Sequence, residues 1–193
     1  MTYHVAIAVF DGIDDLDLVG VSSVVGKAAE IAPDRLKLKF VSTVGSERHI
    51  TAQGLEVRCI PHNLFPNMIV LPGGRAATTL ILPSSFKRWL SDSLAKGAEV
   101  CTICSGAFLL GQCYNLSGQT ISVHHAKRDI FEQRFNASAT TGIRKAGPYL
   151  SVAGPMPGGV PKSVVAGLSI LDRVADDLRR HIETRMEIGV QYS

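Results

Sequence analysis

Val100-Cys101-Thr102-Ile103-Cys104-Ser105-Gly106-Ala107-Phe108-Leu109-Leu110 decides how this chain folds. An apolar run over residues 98–103 stops at a small polar cluster, and a helix-like apolar run follows without a linker. A strand that turns straight into a helix leaves its turn residue at the carboxyl edge of the sheet. Cys104 is that residue. Free backbone N–H groups and the positive end of the helix dipole are expected there to favour a thiolate over a thiol. The arrangement is a nucleophile elbow carrying cysteine in place of serine, with Gly106 giving the clearance such a turn needs. Thr102 is bulkier than the glycine usual two residues before the nucleophile. From this segment alone, Cys104 is either a reactive thiol or a buried cysteine at a strand–helix junction.

Outward from the elbow, strand and helix alternate. Residues 4–10 read as a buried strand, and residues 17–31 as a helix with apolar positions at Leu18, Val21, Val24, Val25 and Ala28. Leu36–Ser42 follows as a strand, with period-two alternation at its start. Residues 55–60 are a candidate short strand, and residues 67–71 a buried one closed by Pro72-Gly73-Gly74. Residues 84–96 have helical spacing, with Pro83-Ser84-Ser85 offering a cap. Beyond the elbow come a short helix to Cys113, a turn over residues 115–118 and a strand-like stretch over residues 120–123. A helix over residues 125–135, a strand within residues 148–153, and a long C-terminal helix from Val160, broken near Asp176, complete the pattern.

The alternation predicts an α/β sandwich of flavodoxin-like type, a single domain over residues 1–193. Its sheet is mostly parallel and covered by helices on both faces. The functional crevice of such a sheet lies beyond the carboxyl ends of its strands. Phe10-Asp11-Gly12, Leu71-Pro72-Gly73-Gly74 and Cys104-Ser105 converge on that edge. The proline- and glycine-rich residues 153–161 read as a loop, since too little chain follows for a second core.

The chain has 193 residues, 46% hydrophobic and 19% charged, with a formal charge of +3. That describes a globular protein. The charge is too small and too scattered to predict nucleic-acid binding by this chain. Arg173, Arg179, Arg180 and Arg185 alternate with acids, as on a solvated helix face. No charged leader or long apolar span opens the sequence, so neither secretion nor a membrane segment is predicted, and a reducing cytoplasm is expected. The four cysteines have no paired metal-ligand spacing, and no metal is predicted. Cys101 and Cys104 form a C-x-x-C, but Cys101 falls inside the predicted strand, whereas a redox pair usually opens a helix.

Asp17 opens the first predicted helix. From the residues alone it is either a helix-entry acid favoured by the dipole or a proton acceptor for the thiol. Asp14 and Asp15 stand close enough to share either part. Gly73 and Gly74 either close a strand or let backbone N–H groups approach a developing negative charge. His124 is a base, a cap or a packing residue.

Taken together, Phe10-Asp11-Gly12, Leu16-Asp17-Leu18, Leu71-Pro72-Gly73-Gly74, Cys104 to Leu110 and the run from Gly118 to His124 resemble the ThiJ/PfpI superfamily, related to class I glutamine amidotransferases. The head of the chain is most similar to the isonitrile hydratase branch, and the same block resembles the sensor domain of some AraC-type regulators. The resemblance implies Cys104 as nucleophile, Asp17 as the acidic catalytic residue and Ser105 in place of the branch's threonine. It also implies Gly73 and Gly74 as an oxyanion site, and His124 beside the substrate. The absence of histidine directly after Cys104 separates the chain from the protease-like members. The activity implied is addition of water to an isonitrile, without metal or organic cofactor, by a homodimer acting on a small molecule. The alternatives are a ligand sensor without turnover and a thiol that reports oxidation.

Overall fold

The computed structural model describes residues 2–174 and 176–188. Within these described residues, apolar periodicity and chain-breaking residues set out ten strands and six α-helices. In chain order come β1 (Tyr3–Val9), α1 (Asp15–Ile31), β2 (Leu36–Ser42), β3 (Arg48–Ile50), β4 (Glu56–Arg58) and β5 (Met68–Leu71). Then follow α2 (Ser84–Ala95), β6 (Glu99–Ile103), α3 (Ala107–Gly111), β7 (Thr120–Ser122) and α4 (Arg128–Phe135). The chain continues with β8 (Ser138–Thr140), β9 (Gly142–Ala146), β10 (Tyr149–Ala153), α5 (Lys162–Val174) and α6 (Asp176–Arg185).

The central sheet runs β2-β1-β5-β6-β10-β9. All neighbours are parallel except β9, which pairs antiparallel with β10. From β1 the chain steps through α1 to β2 on one side. From β5 it steps through α2 to β6 on the other. Right-handed crossovers in opposite directions place α1 and α2 on opposite faces of the sheet. The direction reverses between β1 and β5, so their carboxyl ends open a crevice there, and β6 borders it. The single-domain α/β fold with a mostly parallel sheet is therefore the one the alternation predicts.

Several details depart from the sequence reading. The strand predicted over residues 55–60 is shorter, and it pairs as β4 with an unpredicted partner, β3, in a separate hairpin. The stretch over residues 120–123 does form β7, but it leaves the central sheet to pair in parallel with β8. β8 and β9 were not predicted; each is short, and exposed or half-buried residues blur any alternation. α2 starts after Pro83 with no side-chain cap, so neither Ser84 nor Ser85 serves as one. The helix predicted from residue 125 opens with a 3-10 turn at His125–Lys127 before α4. The C-terminal helix starts at Lys162, after a 3-10 turn at Pro157–Gly159, and its described residues are α5 and α6 on either side of residue 175; the expected break beside Asp176 falls at that residue, outside the described ones. Its predicted continuation past residue 188 lies outside the described residues.

α1 and α5 pack side by side through small residues. A Cβ on Gly20 of α1 would collide with Ser163 Oγ, and a Cβ on Gly167 of α5 would lie 2.6 Å from Val24 Cβ. The Ser163 hydroxyl also donates to the Leu16 carbonyl at 2.8 Å. The amino end of α5 is thereby locked over the first turn of α1. Gly167→Ala is expected to lower stability by about 1–3 kcal/mol through overpacking. Gly26→Ala, whose methyl would meet Leu38 at 3.7 Å, is expected to be neutral or stabilising, because alanine is the better helix former. Parallel thermal melts of the two variants would check the contrast; equal melting temperatures would contradict the packing described.

Candidate active site

Cys104 ends β6 in the left-handed region, at φ +57°. A non-glycine residue there is strained by about 1–3 kcal/mol and persists only where its surroundings enforce it. Gly106 is part of that enforcement, since a Cβ on it would overlap the Leu71 carbonyl oxygen. The elbow turns so tightly that it lies against the end of β5. Thr102, bulky for its position, is buried in β6 opposite Ser151 of β10. Cys104 itself is 8% exposed.

The three acids at the head of α1 have separate partners. Asp14 is the helix cap, its Oδ1 accepting the Asp17 N–H at 2.9 Å. Asp15 accepts the Thr51 hydroxyl at 2.7 Å and the Gln53 N–H at 3.1 Å. Asp17 is fully buried. Its Oδ2 accepts the Gly73 N–H at 3.2 Å, and its Oδ1 lies 2.8 Å from Lys162 Nζ. A Cβ added to Gly73 would lie 2.6 Å from Asp17 Oδ2 and 2.9 Å from Cys104 Cβ. Carboxyl group and cysteine therefore flank the same glycine, and no residue with a side chain would fit between them.

Ser105 is buried behind the elbow. Its hydroxyl donates to the Gly74 carbonyl at 2.8 Å and accepts the Gly74 N–H at 3.1 Å, stapling the glycine loop to the elbow. Both glycine N–H groups are thus engaged by side chains, Gly73 by Asp17 and Gly74 by Ser105. His124 caps the 3-10 turn after β7, with Nδ1 accepting the Ala126 N–H at 3.2 Å. Its ring stacks on that of His125 at 4.4 Å. Nδ1 as acceptor leaves Nε2 to carry the proton, so the ring presents a donor. Asp17, Cys104, Ser105, His124, Lys127 and Lys162 line one cleft of ≈ 290 Å³, with Gly74 at its wall. Every side chain proposed from sequence is at this cleft.

Lys162 was not foreseen. It follows a proline- and glycine-rich loop and has no local motif. Its one hint is the small residue Ser163 just beyond it, which faces Gly20 in α1.

Burial pushes the Asp17 carboxyl above its ordinary range, and the charge and hydrogen bond of Lys162 only partly oppose it. Burial also pushes the Cys104 thiol up, and the Asp17 charge adds to it; Lys162 and the Ser105 N–H pull the other way but lose. These effects run against the thiolate expected from the helix dipole. α3 has five residues, too short a helix to offset desolvation. Burial alone would pull Lys162 down, yet the Asp17 charge and hydrogen bond hold its ammonium above the usual range. His124 is held below its ordinary range by burial, then by His125, Lys127 and Lys162. Cys101 is buried in β6 and pushed up to about 12 by desolvation, which removes it as a redox partner. Among the described residues no group of three or more His, Cys, Asp or Glu side chains is placed to hold a metal. Among them, too, no helix is long and apolar enough to cross a membrane.

The model of the DJ-1/PfpI family matches residues 3–142. Comparison with curated protein sequences finds no match. Among solved structures, a ThiJ/PfpI family protein from Pseudomonas syringae superposes with a TM-score of 0.79 at 19% identity, covering 100% of this chain and 77% of that one. An AraC family transcriptional regulator from Pseudomonas putida gives 0.74 at 21% identity, over 95% of this chain and 99% of that one. DJ-1beta from Drosophila melanogaster gives 0.80 at 14% identity, over 98% and 100%. At such identities the likeness is one of fold.

The charges beside Cys104 lead to opposite effects of two substitutions. Asp17→Asn removes a charge that raises the thiol, so Cys104 is expected to alkylate at lower pH than in the parent. Lys162→Met removes a charge that lowers it, so alkylation is expected to need higher pH. Moving the midpoint by a single pH step of one corresponds to roughly a tenfold change in thiolate at fixed pH. Iodoacetamide labelling followed by intact mass across pH ~6–10, the range that brackets an ordinary thiol, reads both; midpoints moving in the same direction would contradict these electrostatics.

Proposed function

The chain belongs to the DJ-1/PfpI family, and from that premise we propose that it is a cysteine-dependent enzyme acting on a small electrophile, with hydration of an isonitrile to an N-substituted formamide as its chemistry. The observation that supports this best is the pairing of a buried thiol and a buried carboxyl group across Gly73, in a cleft whose glycine N–H groups are already engaged. Acyl substrates develop an oxyanion and need free donors aimed at it. An isonitrile develops charge on carbon, which a proton removes. The cleft offers a proton carrier, Asp17, and its raised proton affinity suits that task.

In the scheme, Cys104 gives its proton to the Asp17 carboxylate as sulfur attacks the terminal isonitrile carbon. The C–S bond forms and the carbon takes the proton back from Asp17, leaving a thioimidate, R–N=CH–S–Cys. Asp17 then accepts a proton from water as the oxygen adds to that carbon, and delivers it to the nitrogen. The hydroxyl proton finally passes by way of Asp17 to sulfur as the C–S bond breaks, releasing R–NH–CHO and the thiol. Lys162 balances the Asp17 charge between transfers. Ser105 holds the glycine loop in register with the elbow. His124 offers its Nε2–H to the substrate. The scheme draws on no metal or organic cofactor.

Ligand sensing without turnover is the second reading, favoured by the likeness to the AraC family regulator from Pseudomonas putida. The working unit in either case is a cytoplasmic homodimer. Leu16 and Val19, one turn apart on α1 and 55% and 44% exposed, support pairing through that face. Light scattering is expected to give twice the chain mass.

Formamide production from a panel of isonitriles, followed chromatographically, tests the activity. Turnover is expected in the parent and is expected to fall at least ~100-fold in Cys104→Ala and Asp17→Ala, the scale of a lost nucleophile or proton carrier. A parent whose Cys104 alkylates readily but which hydrates no isonitrile would overturn the enzymatic reading and leave the sensor.

A further inference from the structure

Two cations at the Cys104 cleft, an exposed Arg75 and a half-buried Lys127, stand outside its ion pair. Arg75 directly follows the Gly73-Gly74 loop and Lys127 ends the 3-10 turn after His124; both line the cleft with Cys104. Among the described residues neither side chain takes part in an ion pair. Both line one cleft; burial draws the Lys127 ammonium below its ordinary range, Cys104 draws it up, and Arg75 adds to the lowering. Against Asp14 and Asp17, the three cations Arg75, Lys127 and Lys162 leave the cleft with one positive charge in excess. Asp17 and Lys162 balance one another at 2.8 Å, and Asp14 accepts the Asp17 N–H at the head of α1, where the helix end favours its charge.

Two like charges lining one cleft repel, and an anion between them relieves the repulsion. The geometry points to a carboxylate-bearing substrate or ligand, its anionic group held between Arg75 and Lys127 and its electrophilic carbon at Cys104. A guanidinium suits a planar carboxylate because its N–H groups form a matching fork. A phosphate group is the poorer fit. Phosphate sites rely on a cradle of free backbone N–H groups, and those of Gly73 and Gly74 are taken by Asp17 and Ser105. Beyond Arg75 and Asp14, which it shares, a second cavity of ≈ 670 Å³ continues toward Gln53 and Thr79. It leaves room for the remainder of a longer acid. The inference rests on Cys104 as the reacting group of the proposed function and narrows the substrate to acids.

Paired alkylating reagents test it without any turnover. Iodoacetate and iodoacetamide deliver the same one-carbon electrophile with and without a carboxylate. Their rate ratio cancels the thiolate fraction of Cys104, so a change in thiol acidity leaves the ratio unmoved. In low salt, the ratio of acetate to acetamide rates at Cys104 is expected to exceed that of 2-mercaptoethanol by about tenfold. It is expected to collapse toward the solution value in the double variant Arg75→Gln, Lys127→Gln, and in the parent at high salt. Retained iodoacetamide labelling would show that the variant's cleft is intact. A parent ratio equal to that of 2-mercaptoethanol, or a ratio unchanged in the double variant, would overturn the inference. The two readings separate cleanly. A high ratio without isonitrile hydration removes the hydratase and keeps the acid site. Hydration of neutral isonitriles with a solution-like ratio does the reverse.

Discussion

The buried carboxyl group of Asp17 is the constraint on which the rest of the site depends. It has no contact with solvent, yet it ties its own helix to two separated parts of the chain: the loop after β5 through the Gly73 N–H, and the start of α5 through Lys162. Burying such a pair is weak evidence for stability, since desolvation takes back much of the attraction. Its consequence is positional. A carboxylate with no water must meet its donors at hydrogen-bond distance, so β5 and α5 have one place to stop. Gly20 and Ser163 make the same demand in steric form, admitting α5 close enough for Lys162 to reach.

Desolvation outweighs every favourable charge near Cys104. The short helix α3, the Ser105 N–H and Lys162 all favour a thiolate, yet burial and Asp17 keep the sulfur protonated. In the proposed scheme, reactivity comes from handing the proton to Asp17 as a substrate arrives, because thiol and acid share one local charge balance. A standing thiolate would also be the form most open to peroxide.

Much of the framework was legible because hydrophobic periodicity reports burial. Residues 68–71 are a continuous apolar run and residues 98–103 a largely apolar one, and they form adjacent central strands, β5 and β6. The elbow was legible for a local reason: Cys104 and Gly106 sit within one turn and determine each other's geometry. β8 and β9 were not legible, because short strands with exposed or half-buried positions carry no period. Asp17 could be named from the chain but not separated from Asp14 and Asp15. Their difference lies in partners far along the chain, Gly73 and Lys162 against Thr51 and Gln53. The oxyanion role expected of Gly73 and Gly74 illustrates the same limit. A Pro-Gly-Gly run shows where backbone N–H groups can approach, and it says nothing of side chains that arrive first.

Fold likeness at 14% to 21% identity specifies an elbow and a crevice but not what enters them. The features that tune this crevice lie largely in side chains the fold does not demand. Lys162 stands beyond the stretch that matches the family model, residues 3–142. Arg75 and Lys127 lie within it, on a loop and a 3-10 turn that would fold as well with neutral residues. In the proposed function, Cys104 and Asp17 supply the nucleophile and the proton carrier. The field around them is set by three cations, Arg75, Lys127 and Lys162, against two carboxylates, Asp14 and Asp17, all lining one cleft. Such a cleft can separate reaction from selection. In the proposed scheme thiol and carboxyl group perform the transfer, and in the acid-binding inference Arg75 and Lys127 select which molecules stay long enough to undergo it.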